Sequence, residues 1–164
     1  MITAENMIIP GDLSDGEIYL QLNTFMPYRA NDVWTPNVLF HIRRCADDVR
    51  VGRCDLRFCD NDLIYYAGHI GYMVFEEYRG HAYAQKACRQ LRKVALANGF
   101  YHVVITCDSD NIASRRTCEN LGCTLLGIEK VPRESELYWQ SSGYKCRYWF
   151  PILQEDIQTK LEMM

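Results

Sequence analysis

Residues 68–99 read GHIGYMVFEEYRGHAYAQKACRQLRKVALANG, and this stretch decides the fold. It opens with a short apolar run, Ile70 to Phe75, whose two aromatics and valine favour a strand. The run breaks at Glu76–Tyr78 and passes through Arg79, Gly80, His81, Ala82 and Tyr83. Beyond them Ala84, Ala87, Cys88, Leu91, Val94 and Ala95 recur at three- and four-residue spacing, which is one buried stripe of a helix. Asn98–Gly99 supplies the left-handed residue that stops it. A strand feeding a small-residue loop that opens straight into a helix is an anion site in outline. The first-turn N–H groups have no partner inside the helix, and small residues let a phosphate reach them. Small residues equally suit a tight packed turn, so the loop by itself leaves both readings open.

Downstream, Tyr101–Cys107 (YHVVITC) is continuously apolar, as in a strand buried on both faces. Strand, crossover helix, strand implies a parallel neighbour joined by a right-handed connection. Asn111 stands at the N-cap of a second helix, Ile112–Leu121, which Gly122 closes. Thr124–Val131 and Lys145–Phe150 read as strands ended by Pro132 and Pro151, with Gln154–Met163 a short polar helix. Upstream, Glu17–Asn23, Val38–Cys45 and Arg50–Phe58 alternate apolar and polar, the last two as an antiparallel hairpin. Leu63–Val74 reads as strand interrupted at Ala67–Gly68, where Gly68 and Gly71 mark a bulge or a close backbone approach. Thr24–Asn37, with Pro27 and Pro36, reads as an irregular connection. The chain is therefore a single α+β domain over residues 1–164, with residues 1–16 a loose lead-in and 152–164 a tail. Its core is a mixed, mostly antiparallel sheet of about seven strands with flanking helices.

A length of 164 residues suits one domain with a sizeable core, and a net charge of −3 lacks the basic excess of a general nucleic-acid binder. Eight cysteines do not form a disulfide framework, because residues 1–10 carry neither the basic start nor the apolar core of a secretory leader. No CxxC knuckle points to a metal, and no apolar run is long enough to cross a membrane. The expectation is a cytoplasmic protein with reduced thiols, no metal, and neither nucleic acid nor membrane as partner.

Two motifs together resemble the GNAT superfamily of acyl-CoA-dependent N-acyltransferases. IGYMVFEEYRGHAYA, residues 70–84, is similar to that family's acetyl-CoA pyrophosphate motif, although Ala82 stands where glycine is usual. NIASRRTCENLGC, residues 111–123, is similar to its Asn-x-x-Ala/Ser helix. The resemblance implies that the fourth and fifth strands start parallel and splay apart. Acetyl-CoA, as co-substrate, would lay its pantetheine arm along the backbone of Met73, Val74, Phe75 and Glu76. Its pyrophosphate would rest on the amides of Arg79, Gly80, His81, Ala82, Tyr83 and Ala84, with Asn111 and Ser114 beside the arm. The reaction implied is acetyl transfer to a primary amine of a small molecule or peptide, by direct attack in a ternary complex. An amide of Met73 or Val74 would hold the oxyanion. His69 is the favoured base, or else a hydrogen-bonded structural residue. Cys118 occupies the position of the family's usual tyrosine acid, and is either a proton donor or an uncharged helix residue beside the sulfur. The alternative function is an acyl-CoA-binding or interaction module without turnover. Lys145–Phe150, taken as an edge strand, predicts pairing into a homodimer.

Overall fold

The computed structural model describes residues 2–30, 33–59 and 61–152; the helix expected at Gln154–Met163 lies outside them. Seven strands form one sheet: β1 (Ile18–Ala30), β2 (Val33–Arg44), β3 (Arg50–Arg57), β4 (Ile70–Val74), β5 (His102–Asp108), β6 (Thr124–Lys130) and β7 (Tyr144–Pro151). Their order across the sheet is β1-β2-β3-β4-β5-β7-β6. Every neighbouring pair is antiparallel except β4 and β5. The organising stretch folds as expected into β4 and the helix α2 (Tyr83–Ala97), with α3 (Ile112–Asn120) following β5.

The apolar stripe of α2, with Ala87, Cys88, Leu91, Val94 and Ala95, joins Ile18, Phe40, Leu56, Ile105 and Phe150 of the sheet in one core. Cys118 and Leu121 bring α3 to the same face. The lead-in also belongs to that face. Asn98 accepts from the Ile8 amide and donates to its carbonyl, both at 2.8 Å, and Leu13 is buried. It is fastened rather than loose.

Three elements differ from the sequence reading. The stretch taken as an irregular connection is a long hairpin of β1 and β2, bulged between Leu22 and Thr24. Pro27 and Pro36 lie opposite each other in register, so the two missing N–H donors fall on one rung. The stretch from Leu63 is helical: α1 (Asp62–Ala67) is capped by the Asn61 side chain, which accepts from the Ile64 amide at 2.9 Å. A short apolar run reads alike in helix and strand, and this cap decides between them. α1 lies on the face opposite α2, where Thr106 Oγ1 donates to the Tyr66 carbonyl and Arg147 Nε to that of Tyr65. Finally, β7 is interior, between β5 and β6, so the edge that suggested a homodimer is not an edge. The outer strand on that side is β6, with Leu125, Leu126 and Ile128 exposed.

Candidate active site

β4 and β5 meet at one register pair, Ile70↔Ile105. The joint is made by the two residues before it. Gly68, at φ +76°, lets the β5 backbone come so close that a Cβ would lie 2.9 Å from both Thr106 N and Val104 O. His69 donates its amide to Val104 O at 2.8 Å, and its Nδ1 accepts from the Val104 amide at 2.9 Å. Past Ile70 the strands diverge around a cavity of about 580 Å³. That volume lies within the range of small-molecule sites, roughly 300–1,000 Å³.

The backbone of β4 has one edge on β3 and one on this cavity. Phe75 N donates to Val51 O and His69 O accepts from Arg57 N, so alternate residues from His69 to Phe75 turn to β3. Tyr72 and Val74, the residues between, present their peptide groups to the opening. Of the two amides expected to hold the oxyanion, that of Val74 faces the cavity and that of Met73 is turned to β3. The Val74 carbonyl accepts from Arg79 Nε at 3.1 Å, which bends the loop over the end of β4.

That loop enters α2 through Ala82, at φ +59° and ψ +26°. The left-handed region costs a non-glycine residue roughly 1–2 kcal/mol, which accounts for glycine being usual there. No side chain caps the helix, and its first turn holds no acid. The first-turn amides therefore stand open to an anion at the cavity's end.

The opposite wall is α3. Asn111 Oδ1 accepts from the Ser114 amide at 3.1 Å and so caps the helix. The Ser114 hydroxyl bonds the Tyr72 hydroxyl, a contact that joins the two walls. Burial raises the Tyr72 phenol, with the neighbouring thiols adding to it. Burial likewise pushes the Cys107 thiol, on the cavity wall, up to about 11.

Of the residues expected from sequence, Met73, Val74, Arg79, Gly80, Ala82, Tyr83, Ala84, Asn111 and Ser114 line the cavity together. Phe75, Glu76 and His81 are outside the lining; the His81 ring packs against Tyr83 at 5.3 Å. His69 also lies outside it, buried at the strand joint beneath α1. Cys118 is fully buried in the core, and its hydrogen bond with Cys123 together with burial holds its thiol far above the ordinary range. Sequence reasoning missed Tyr72 and Asp55. Asp55 sits across from Gly71 in register, and its carboxylate occupies the space a Gly71 side chain would need. Burial raises its pKa while Arg57 and Arg53 lower it. The signal was a lone acid on an alternating strand opposite a glycine, invisible until the register is known.

A family model described as an acetyltransferase (GNAT) domain matches residues 3–124. The chain belongs to the GNAT acetyltransferases. Among solved structures, this GNAT chain is similar to the microcin C7 self-immunity acetyltransferase MccE in complex with acetyl-CoA and AMP. The identity is 20%, the match covers 70% of this chain and 61% of that one, and the TM-score is 0.55. It is also similar to RimL, a ribosomal L7/L12 α-N-protein acetyltransferase, in complex with coenzyme A (19%, 70% and 62%, TM-score 0.54). A third is the ribosomal-protein-S5-alanine acetyltransferase from Vibrio fischeri (16%, 72% and 63%, TM-score 0.56). The matched region spans less than two thirds of each of these three chains. No curated protein matches by sequence. Among the described residues no helix is long and apolar enough to cross a membrane, and no three metal-type side chains converge.

Proposed function

We propose that this chain transfers the acetyl group of acetyl-CoA to a primary amine of a peptide or small molecule, by direct attack in a ternary complex. The observation that carries the reading is the one-rung joint of β4 and β5, which leaves peptide groups of Tyr72 and Val74 facing a cavity that ends on the uncapped α2. A pantetheine arm would pair with those groups as an added strand. The α2 amides and helix dipole would hold the pyrophosphate. The Val74 amide would stabilise the oxyanion of the tetrahedral intermediate. The Tyr72 and Ser114 hydroxyls share one hydrogen bond, which leaves one of their two protons for the departing sulfur and fits loss of the thiolate without Cys118 as acid. The Nδ1 of His69 is engaged by the Val104 amide, which favours its structural reading over its role as base.

Calorimetric titration with acetyl-CoA and transfer of radiolabelled acetyl to a panel of amines test this reading. Saturable binding with transfer is expected. Binding without transfer to any amine would leave the acyl-CoA-binding module, and no binding at millimolar concentration would remove both.

A further inference from the structure

The C-terminal end of α3 brings two thiols together. Gly122, at φ +76°, turns the chain back on the helix. Its amide donates to the Glu119 carbonyl, and the Cys123 amide donates to the Cys118 carbonyl, both at 3.0 Å. These two bonds make a Schellman motif, in which the residues joined by the outer bond also bring their side chains into contact. That contact is ordinarily between apolar groups. Here both positions are cysteine. Standard backbone lengths keep α-carbons joined by such a bond within about 7 Å, the outer reach of a disulfide. Both side chains turn to the same core, where Cys118 is fully buried and Cys123 half-buried.

The two thiols are unlike. The Cys118 S–H donated to the Cys123 sulfur lowers the Cys123 thiol; burial opposes this, and the Arg92 guanidinium of α2 adds to the lowering. A thiol held toward its anion and partly open to solvent is the reactive kind. The other cysteines are placed differently. Burial raises the thiols of Cys54, Cys88 and Cys107, and Cys146 is also buried. Cys45 is exposed, and its sulfur meets the Ser14 hydroxyl at 3.7 Å. Neither Cys118 nor Cys123 lines the β4/β5 cavity, so acetyl transfer leaves both without a task.

We propose that Cys118 and Cys123 form a redox-active dithiol, a modification site that a small soluble disulfide converts reversibly into an intramolecular disulfide. This chemistry stands apart from acetyl transfer and needs no acyl-CoA. It would tie off the helix that forms the cavity's opposite wall, since Cys118 stands one turn after Ser114.

The Cys123 thiolate attacks one sulfur of the small disulfide. That S–S bond breaks, and its electron pair leaves with the other sulfur, which takes a proton from water. The mixed disulfide removes the Cys123 anion, and with it the largest hold on the Cys118 proton. Cys118 gives that proton to water, attacks the Cys123 sulfur and expels the second small thiol. The protein dithiol loses two electrons and the small disulfide gains them, so no further reactant is needed.

The test exposes the folded full chain to glutathione disulfide, then denatures it, alkylates it with iodoacetamide and cleaves it with trypsin. The tryptic peptide 117–130 follows Arg116, ends at Lys130 and holds Cys118 and Cys123 as its cysteines. Mass spectrometry is expected to find it about 2 Da lighter than the dithiol, the mass of two hydrogens, and unalkylated. Dithiothreitol should restore the dithiol. Cys118→Ala should instead retain glutathione on Cys123, and Cys123→Ala should leave Cys118 reduced and alkylated. Urea unfolding of each variant reports that it is folded, and the peptide mass from the unaltered chain is decisive without them. A doubly alkylated 117–130 peptide after exposure would overturn the proposal. So would glutathione retained on Cys123 in the unaltered chain, or a disulfide from either residue to Cys88 or Cys107.

Discussion

β5 has two edges, and they behave differently. Along one it pairs with β7 at seven positions, from His102↔Pro151 to Asp108↔Lys145; along the other it meets β4 once. Neither neighbour is a poor strand, since β4 and β7 are both rich in apolar and aromatic residues. What separates them is how each is held. β7 is bound along its whole length by its ladder. β4 is pinned at one end by Gly68 and His69, and farther along its Tyr72 hydroxyl reaches α3 through Ser114. An opening in a sheet thus needs a strong joint as much as it needs unpaired backbone. The cavity persists because the clamp at its vertex fixes where the strands part.

The joint is most vulnerable at Gly68. Valine there combines a backbone conformation (φ +76°, ψ 170°) essentially confined to glycine, which costs a side chain roughly 1–3 kcal/mol, with a Cβ 2.9 Å from two backbone atoms of β5. Gly68→Val should lower stability by roughly 2–4 kcal/mol in urea unfolding and abolish acetyl-CoA binding. An unchanged midpoint would mean that the strands are held elsewhere. His69→Ala comes next. It removes the acceptor of the buried Val104 amide and should cost about 1–3 kcal/mol, read by the same unfolding curve. Hydrogen exchange at Val104 should accelerate with it. Fast exchange of that amide in the unaltered protein would instead show that the clamp is not closed.

Much of this arrangement was legible in residues 68–123, because local rules act there without competition. A helical stripe, a continuous apolar strand and an asparagine N-cap each read directly. The close approach at Gly68 was also legible as a glycine in an otherwise apolar run. What failed was long-range. The 62–67 segment has a pattern that either helix or strand satisfies, and only the cap from the Asn61 side chain decides between them. His69 has the chemistry of a base, and only the position of the Val104 amide assigns its Nδ1 another task. Asp55 and Tyr72 acquire roles through partners 16 and 42 residues away in sequence, at Gly71 and Ser114. β7 looked like an edge because nothing in its own residues says that β6 returns to its outer side.

Ala82 keeps φ +59° at the start of α2, where its amide belongs to the group read as gripping the pyrophosphate. Ala82→Gly relieves the left-handed cost of roughly 1–2 kcal/mol but gives the unfolded chain back about 0.4–1 kcal/mol of entropy. The net gain of about 0.5 kcal/mol should raise Tm by roughly 1–2 °C in calorimetry. Acetyl-CoA affinity should change little, because the amides already point out of the helix with alanine in place. A drop in Tm would imply that the loop does not hold its left-handed turn in solution. The first-turn amides would then be aimed elsewhere, and the open edge of β4 would have to bind the arm without an anchored diphosphate.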